Sequence, residues 1–124
     1  MIPTNFESPL MLKTASLTGE LIKKVSKEKS IADTTTMALE SKSLGILLFI
    51  SKDIKTWSKF LSCSLRTLSA AILYVSMHLV DEKPPGSWTY ITQADLASMV
   101  GTTSVSLRGW VNRIYDAGGG FSEQ

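Results

Sequence analysis

The sequence predicts an all-α fold, and three observations predict it. Apolar residues recur at three- and four-residue intervals between positions 64 and 80, namely at Leu65, Leu68, Ile72, Val75 and Leu79. This is the spacing of one face of a helix. Residues 92–113 divide into two short segments, each with one apolar face, on either side of Gly101. Finally, a Ser or Thr stands three positions before an Asp at 30–33 and at 92–95, a spacing typical of helix N-termini.

Length and composition indicate a single globular domain. The chain has 124 residues, 44% of them apolar and 19% charged, with a formal net charge of +2. A strongly basic nucleic-acid domain usually carries more charge. The longest apolar run, Leu44–Ile50, is far shorter than the roughly 18 residues of a membrane span. No basic segment followed by an apolar one opens the chain. We therefore expect no membrane partner, and a cytoplasmic location in an archaeon or a nuclear one in a eukaryote.

The residue types needed for most catalytic and metal sites are scarce. Cys63 is the only cysteine and His78 the only histidine, so an internal disulfide and a cysteine-based zinc site are excluded. The glycine-rich phosphate loop Gly-x-x-x-x-Gly-Lys-Ser/Thr does not occur. Carboxylates are few and scattered. The sequence therefore predicts that the protein is not an enzyme and that it binds no cofactor or metal.

The first half of the chain predicts a flexible arm and two helices. Residues 1–15 contain two prolines and little periodicity, and are expected to form the arm. The first helix begins at 16 and is expected to bury Leu17, Leu21, Ile22 and Val25, with Lys23, Lys24 and Lys27 on its other face. A capping box at Ser30 and Asp33 predicts a second helix from Ile31 towards Glu40. The run Leu44–Ile50 fits a continuation of that helix, a new helix or a buried strand.

Three lysines in the middle of the chain share a helical spacing. Lys52, Lys55 and Lys59 would line one face of a helix, while Trp57 and Phe60 lie on another. Such spacing most often indicates a helix face that is exposed to solvent. The alternative is a stripe that contacts nucleic-acid phosphates.

The second half predicts a central core helix and a pair of shorter helices. Ala70 and Ala71 permit close approach of other helices to the central one, and Tyr74 and Met77 are expected to help pack it. His78 suits either a cation at the helix end or a neutral packed ring. A loop follows over 81–90, where Pro84-Pro85-Gly86 stops the helix. Thr92 is expected to cap the fourth helix.

The last helix is expected to start near residue 104 and to end around 115–116, before the glycine run at 118–120. Residues 118–124 are predicted to be disordered. Together, 92–115 fit a helix-turn-helix, whose second helix enters the DNA major groove in DNA-binding proteins. An ordinary helical hairpin in an all-α domain is the alternative. The outward residues that would face DNA are Thr103, Ser104, Val105, Arg108 and Asn112.

Three motifs in this order resemble a cyclin-like repeat of the transcription factor B/IIB family. They are Ala70-Ala-Ile-Leu-Tyr74, then Thr92-Gln-Ala-Asp-Leu-Ala97, then Val105-Ser-Leu-Arg108. The resemblance extends over about residues 17–116. It implies a five-helix cyclin-like domain that ends in a helix-turn-helix and binds double-stranded promoter DNA. TATA-binding protein and the RNA polymerase machinery are the further partners that it implies.

The resemblance also assigns roles to residues. In the family's second repeat, the last helix reads a promoter element beside the TATA box, and the positions of Val105 and Arg108 contact bases. Arg66 is similar in place to a basic residue of the family that approaches the DNA backbone. From their own positions, Thr103 and Asn112 would support base reading, and Ser104 and Ser106 would contact phosphates. The stripe of Lys52, Lys55 and Lys59 would contact phosphates as well.

The chain departs from the family pattern at several points. One cysteine excludes the family's zinc ribbon, and 124 residues hold one repeat instead of two. Ser62–Leu65 replaces the usual turn before the third helix, and Gly109 follows Arg108 in the last helix. A DNA-binding half of a general factor, a truncated paralogue and a single-repeat repressor all fit. A cyclin-like protein-interaction module without DNA binding is the main alternative, and an unrelated helix-turn-helix regulator is a further one.

Overall fold

The computed structural model describes residues 9–52, 54–60, 62–80 and 91–118, and every regular element in these ranges is an α-helix. The prediction of an all-α fold is confirmed. Six helices are present in this part of the chain, one more than the predicted five, because a short additional helix lies between the second helix and the core helix. They are α1 (Pro9–Glu28), α2 (Asp33–Ile50), α3 (Ile54–Ser58), α4 (Leu65–Val80), α5 (Gln93–Val100) and α6 (Ser104–Gly118).

Helix α4 is the centre of the fold, as the periodicity predicts. All its residues from Thr67 to His78 are buried, and it packs against α1, α2, α5 and α6. Ala70 and Ala71 are fully buried, and their small side chains let neighbouring helices approach closely. His78 is also fully buried, and its Nδ1 lies 3.0 Å from the Tyr74 carbonyl oxygen. The His78 ring is therefore packed in the core.

Helix α1 begins earlier than predicted. It starts at Pro9, so residues 9–15, predicted to belong to a flexible arm, are helical. Proline is well suited to the first position of a helix, because an N–H group there would have no intrahelical partner and its absence costs nothing. Met11 and Thr14 are buried, and the Thr14 carbonyl accepts a 3.4 Å hydrogen bond from Ser69 of α4. Packing against α4 thus extends the helix, and the rest of the predicted arm, 1–8, lies outside the described residues.

The predicted capping box at Ser30 and Asp33 is not formed. Ser30 adopts φ 52°, in the left-handed region, and Ile31 N–H donates to the Ser26 carbonyl at 2.9 Å. This is the hydrogen bond of a helix C-terminus, so Ser30 ends α1 instead of starting α2. Ala32 occupies the N-cap of α2 and provides no side-chain cap.

The apolar run over 44–50 continues α2. Ile46, Leu47 and Ile50 are buried on the same side as Leu39. The helix is also fastened to α4 by a buried 2.9 Å hydrogen bond between Ser43 Oγ and Ser76 Oγ. This contact with the core helix selects helix over strand, which local sequence alone left open.

The two helices and the turn predicted over 92–115 are present. Thr92 Oγ1 accepts a 3.0 Å hydrogen bond from Asp95 N–H and caps α5. Gly101 ends α5 with φ 76° and ψ 33°, and Thr102 N–H donates to the Ala97 carbonyl at 2.9 Å. Helix α6 reaches Gly118, slightly beyond the predicted end. Residues 119–124, most of the predicted tail, lie outside the described residues.

Candidate nucleic-acid interface

Helix α6 has one buried face and one open face. Leu107, Val111 and Ile114 are buried and hold the helix on the core. The opposite face carries Val105, Arg108, Gly109 and Asn112, all exposed; we call these four residues the reading face. Their spacing places them on adjoining turns of the same side. The structure therefore brings three of the predicted base-reading residues together, and adds a glycine among them.

Val105 is the most exposed of the large apolar side chains in the described part of the chain, with 72% of its surface accessible. It lies in the first turn of α6, directly after the turn at Gly101. Burial of an apolar side chain of this size stabilises a fold by about 1.5–3 kcal/mol. Because most of the Val105 side chain is exposed, it contributes only a small part of this stabilisation to the fold.

Gly109 leaves an open space in the middle of the reading face. A Cβ built at this position meets no heavy atom within 4 Å. No neighbouring side chain or backbone in the described residues therefore requires a glycine here. The helix nevertheless loses about 1 kcal/mol of propensity relative to alanine.

Arg108 is linked to the preceding helix. Its Nε donates a 3.3 Å hydrogen bond to Oε1 of Gln93, the first residue of α5. Arginine has five N–H donors, so this contact leaves both terminal nitrogens for another partner. Gln93 belongs to the motif over 92–97 that carries the resemblance, but its contact with Arg108 was not predicted, because the two residues are 15 positions apart in the chain.

Thr103, predicted to contact bases, has a structural role. Its Oγ1 accepts a 3.1 Å hydrogen bond from Ser106 N–H, and its carbonyl accepts from Leu107 N–H at 3.0 Å. Thr103 is thus the N-cap of α6, a preferred position for threonine. The predicted phosphate contacts Ser104 and Ser106 lie in the first turn of this helix, both half-buried. The positive end of the helix dipole is located there.

The predicted lysine face is not formed. Helix α3 extends only over Ile54–Ser58, so Lys52 precedes it and Lys59 follows it. The chain turns inward after α3 because Phe60 is buried at 1% exposure. Lys52 Nζ lies 4.2 Å from the centre of the Phe49 ring, a cation–π contact. Lys55 and Lys59 are exposed, but the three lysines do not share a helix face.

Lys59 instead lies beside the C-terminal half of α6. It borders a cavity of about 430 Å³ together with Phe60, Arg113, Asp116 and Ala117. The Phe60 ring contacts Trp110 at 6.0 Å between ring centres, and the Arg113 guanidinium lies 4.4 Å above the Trp110 ring. Arg113 is exposed and was not among the predicted phosphate contacts. Its position three residues after Trp110, one helical turn, is the signal that was available.

Arg66 lies near the start of α4, beside the end of α5. It borders a groove of about 280 Å³ with Lys24 of α1 and with Met99 and Val100 of α5. Glu20 lines the same groove, which lies at the C-terminal end of α5. Lys59 and Arg113, together with Asp116, lie beside the C-terminal half of α6.

Burial raises the pKa of two side chains, Cys63 and Tyr115 of α6. Burial raises the pKa of the Cys63 thiol to about 11, against a smaller lowering by Arg113. Burial and then the neighbouring Tyr74 raise the pKa of Tyr115 to about 12. The Cys63 thiol is therefore protonated at neutral pH, whereas the thiolate is the nucleophilic form.

Two further classes of site are absent from the described ranges. No three or more His, Cys, Asp or Glu side chains are grouped there so as to hold a metal ion. No helix in these ranges combines the length and the apolar character needed to cross a membrane. Comparisons with protein-family models, curated proteins and solved structures find no match for this chain.

Proposed function

We propose that this chain is a DNA-binding module that reads duplex promoter DNA through the reading face of α6. The observation that carries the proposal is Val105, an apolar side chain 72% exposed in the first turn of α6. The N-terminal residues of such a helix contact bases in DNA-binding helix-turn-helix proteins. There, a valine is suited to contact the methyl group of thymine.

The reading face has the size and the chemistry for a short base sequence. Val105 and Asn112 are about 10 Å apart along the helix axis, which corresponds to about three base pairs at about 3.4 Å each. Arg108 lies between them and has terminal nitrogens suited to O6 and N7 of guanine, while the Asn112 amide is suited to N6 and N7 of adenine. Apolar, cationic and amide groups thus follow one another along a single face.

The surrounding groups suit the sugar–phosphate backbone. Lys59 and Arg113 lie beside the C-terminal half of α6, and Lys24 and Arg66 border the groove at the end of α5. Ser104 and Ser106 lie at the positive N-terminal end of the helix, where hydroxyl and backbone N–H groups bind phosphate oxygens. These contacts position a protein on DNA without selecting a sequence.

The formal net charge of +2 limits the sequence-independent part of the affinity. A partner on the same promoter would add to it, and the resemblance to transcription factor B/IIB repeats makes TATA-binding protein the first candidate. Such a module works where promoter DNA is found, in the archaeal cytoplasm or the nucleus.

A second candidate function is protein interaction without DNA binding. It is favoured by apolar side chains exposed on α1 and α2, namely Leu10, Leu12, Met37, Leu44 and Leu48. A mostly apolar groove of about 280 Å³ lies between these helices, lined by Gly19, Ile22, Leu44 and Leu47 among others. Exposed apolar residues of this kind mark protein contacts when they are contiguous.

Binding measurements on the purified chain separate the two functions. A selection from randomised duplexes, with and without TATA-binding protein, defines any preferred sequence, and fluorescence anisotropy over a salt series then gives affinities. We expect Arg108→Ala to abolish the preference between sequences. We expect Lys59→Ala to weaken all sequences alike and to reduce the slope of log K against log salt by about 1.

Lys42→Ala is the matched control, because Lys42 is an exposed cation of α2 outside the predicted contacts. Binding without sequence preference, unaffected by Arg108→Ala, would exclude α6 as the reading element. Absence of DNA binding under all conditions, together with a protein partner that Leu44→Asp releases, would establish the second function.

A further inference from the structure

We propose that Gln93 is a positioning residue, which holds the Arg108 guanidinium in the orientation needed to read a guanine in duplex DNA. The inference rests on the proposed function and adds a determinant of its specificity. Gln93 belongs to α5, outside the helix that would enter the groove. Its contact with Arg108 is the only hydrogen bond between side chains of α5 and α6 that the described residues show.

The Gln93 side chain lies between Arg108 and the core. Oε1 accepts the hydrogen bond from Arg108 Nε at 3.3 Å. Gln93 also lies close to the hydroxyl of Tyr74: burial raises the pKa of Tyr74, while its interaction with the Gln93 side chain and then the charge of Arg108 lower it. A flipped amide would turn its NH₂ towards another donor, Nε, which disfavours that orientation.

Tyr74 gives the arrangement a rigid base. It is 5% exposed in the core helix α4, and its ring packs against the His78 ring at 4.5 Å between centres. Gln93 itself is half-buried at the first position of α5, directly after the Thr92 cap. The exposed Arg108 is thereby bonded to a half-buried side chain that lies close to the core.

This coupling affects guanine reading because of the geometry of the guanidinium group. Recognition of O6 and N7 needs two parallel N–H groups from one planar fork. With Nε bonded to Gln93, the two terminal nitrogens remain available to a base. A free arginine would lose more rotamer freedom on binding DNA, so the held one discriminates more strongly between bases.

Side-chain NMR of the free protein tests the positioning without DNA. We expect the Arg108 Nε–Hε group to be ordered and slowly exchanging, in contrast to that of Arg66, an exposed arginine of α4. Gln93→Ala should make the two arginines alike. Gln93→Glu should keep Arg108 ordered, because a carboxylate also accepts from Nε. Equal mobility of Arg108 in the wild type and in Gln93→Ala would overturn the proposal.

Binding to the selected duplex and to a duplex with the guanine replaced by adenine tests the consequence. We expect Gln93→Ala to reduce the preference for guanine by about tenfold, with the affinity for the adenine duplex unchanged. Gln93→Glu should retain the preference. In the background of Arg108→Ala, which tests the proposed function itself, Gln93→Ala should have no further effect.

Other outcomes contradict the inference in distinguishable ways. If Gln93→Ala weakens both duplexes alike and Gln93→Glu weakens them more, Gln93 contacts a phosphate and does not position Arg108. If Arg108→Ala leaves the guanine preference intact, the proposed function fails, whatever Gln93 does to the order of Arg108 in the free protein. Thermal unfolding of each variant verifies that the fold is retained.

Discussion

Val105 and Arg108 differ in what restrains them, although both are exposed on the reading face of α6. Arg108 is tied to Gln93 by a hydrogen bond, whereas Val105 is restrained by its β-branched stiffness alone. An apolar contact needs no directed partner, so a stiff side chain at the right place is sufficient. A bidentate hydrogen bond does need direction. We therefore expect substitutions of Val105 and of Arg108 to have different consequences for DNA binding.

Val105→Ala is expected to change DNA binding but not stability. Because Val105 is 72% exposed, the free energy of unfolding should stay within about 0.5 kcal/mol of the wild type. Replacing the contacted thymine by uracil removes its methyl group, and should weaken wild-type binding about fourfold, or about 0.8 kcal/mol. The same replacement should leave Val105→Ala binding unchanged. Equal sensitivity of both proteins at every thymine would show that Val105 contacts no methyl group.

Gly109→Ala is expected to separate stability from binding. Nothing in the described residues fills the space beside Gly109, so alanine should raise the free energy of unfolding by about 1 kcal/mol through helix propensity. The added methyl group stands between Val105 and Asn112 and should weaken DNA binding by holding α6 away from the base edges. Chemical denaturation and anisotropy measure the two effects.

Gly45→Ala is the control for this experiment, since Gly45 is also an exposed helical glycine with open space around it. It should be stabilised to a similar extent with no change in DNA binding. Full binding by Gly109→Ala would show that no close approach occurs at Gly109.

At the scale of helices, the boundaries that were predicted wrongly are those that depend on contacts with residues distant in sequence. Helix α1 starts at Pro9 because Met11 and Thr14 pack towards α4, and α3 is short because Phe60 turns into the core. The boundaries that were predicted well depend on local chemistry. Thr92 caps α5 and Gly101 ends it, and both effects are complete within a few neighbouring residues.

Gly101→Ala is expected to destabilise the α5–α6 turn. Gly101 has φ 76°, a conformation that costs an L-residue with a Cβ about 1–2 kcal/mol. No steric clash adds to this cost, because the position of the Cβ is open. Urea unfolding should therefore show a loss of about 1 kcal/mol, opposite in sign to the effect of Gly109→Ala. Gly101→Asn should recover part of it, since asparagine tolerates the left-handed region; an unchanged stability of Gly101→Ala would contradict the assigned turn.

At the scale of the whole molecule, the free energy of unfolding is expected to fall at alkaline pH. Burial raises the pKa of Cys63 to about 11 in the fold, from the ordinary value of 9.0 that applies to the unfolded chain. The unfolded chain thus loses the thiol proton first, so the stabilisation is complete below pH 9 and is lost as pH rises towards 11. Tyr115, with a pKa raised from 10.0 to about 12, extends the loss to higher pH.

Urea unfolding of wild type and Cys63→Ala at pH 8, 9, 10 and 11 tests this expectation over the window that the Cys63 values define. The wild type should lose stability more steeply than the variant between pH 9 and 11. Comparison of slopes removes the cost of the substitution itself, which is the same at each pH. Identical slopes would show that the Cys63 thiol has the same pKa in the folded and unfolded chains.

The all-α class, the core helix α4 and the α5–turn–α6 unit with the Thr92 cap could be predicted from the sequence, because helical periodicity and capping act between residues three or four positions apart. The tertiary structure alone decided three other features. It assigned 44–50 to α2 through contact with α4, dispersed the lysines that shared a helical spacing, and joined Gln93 to Arg108. Each depends on residues far apart in the chain, whose proximity is set by how the helices pack.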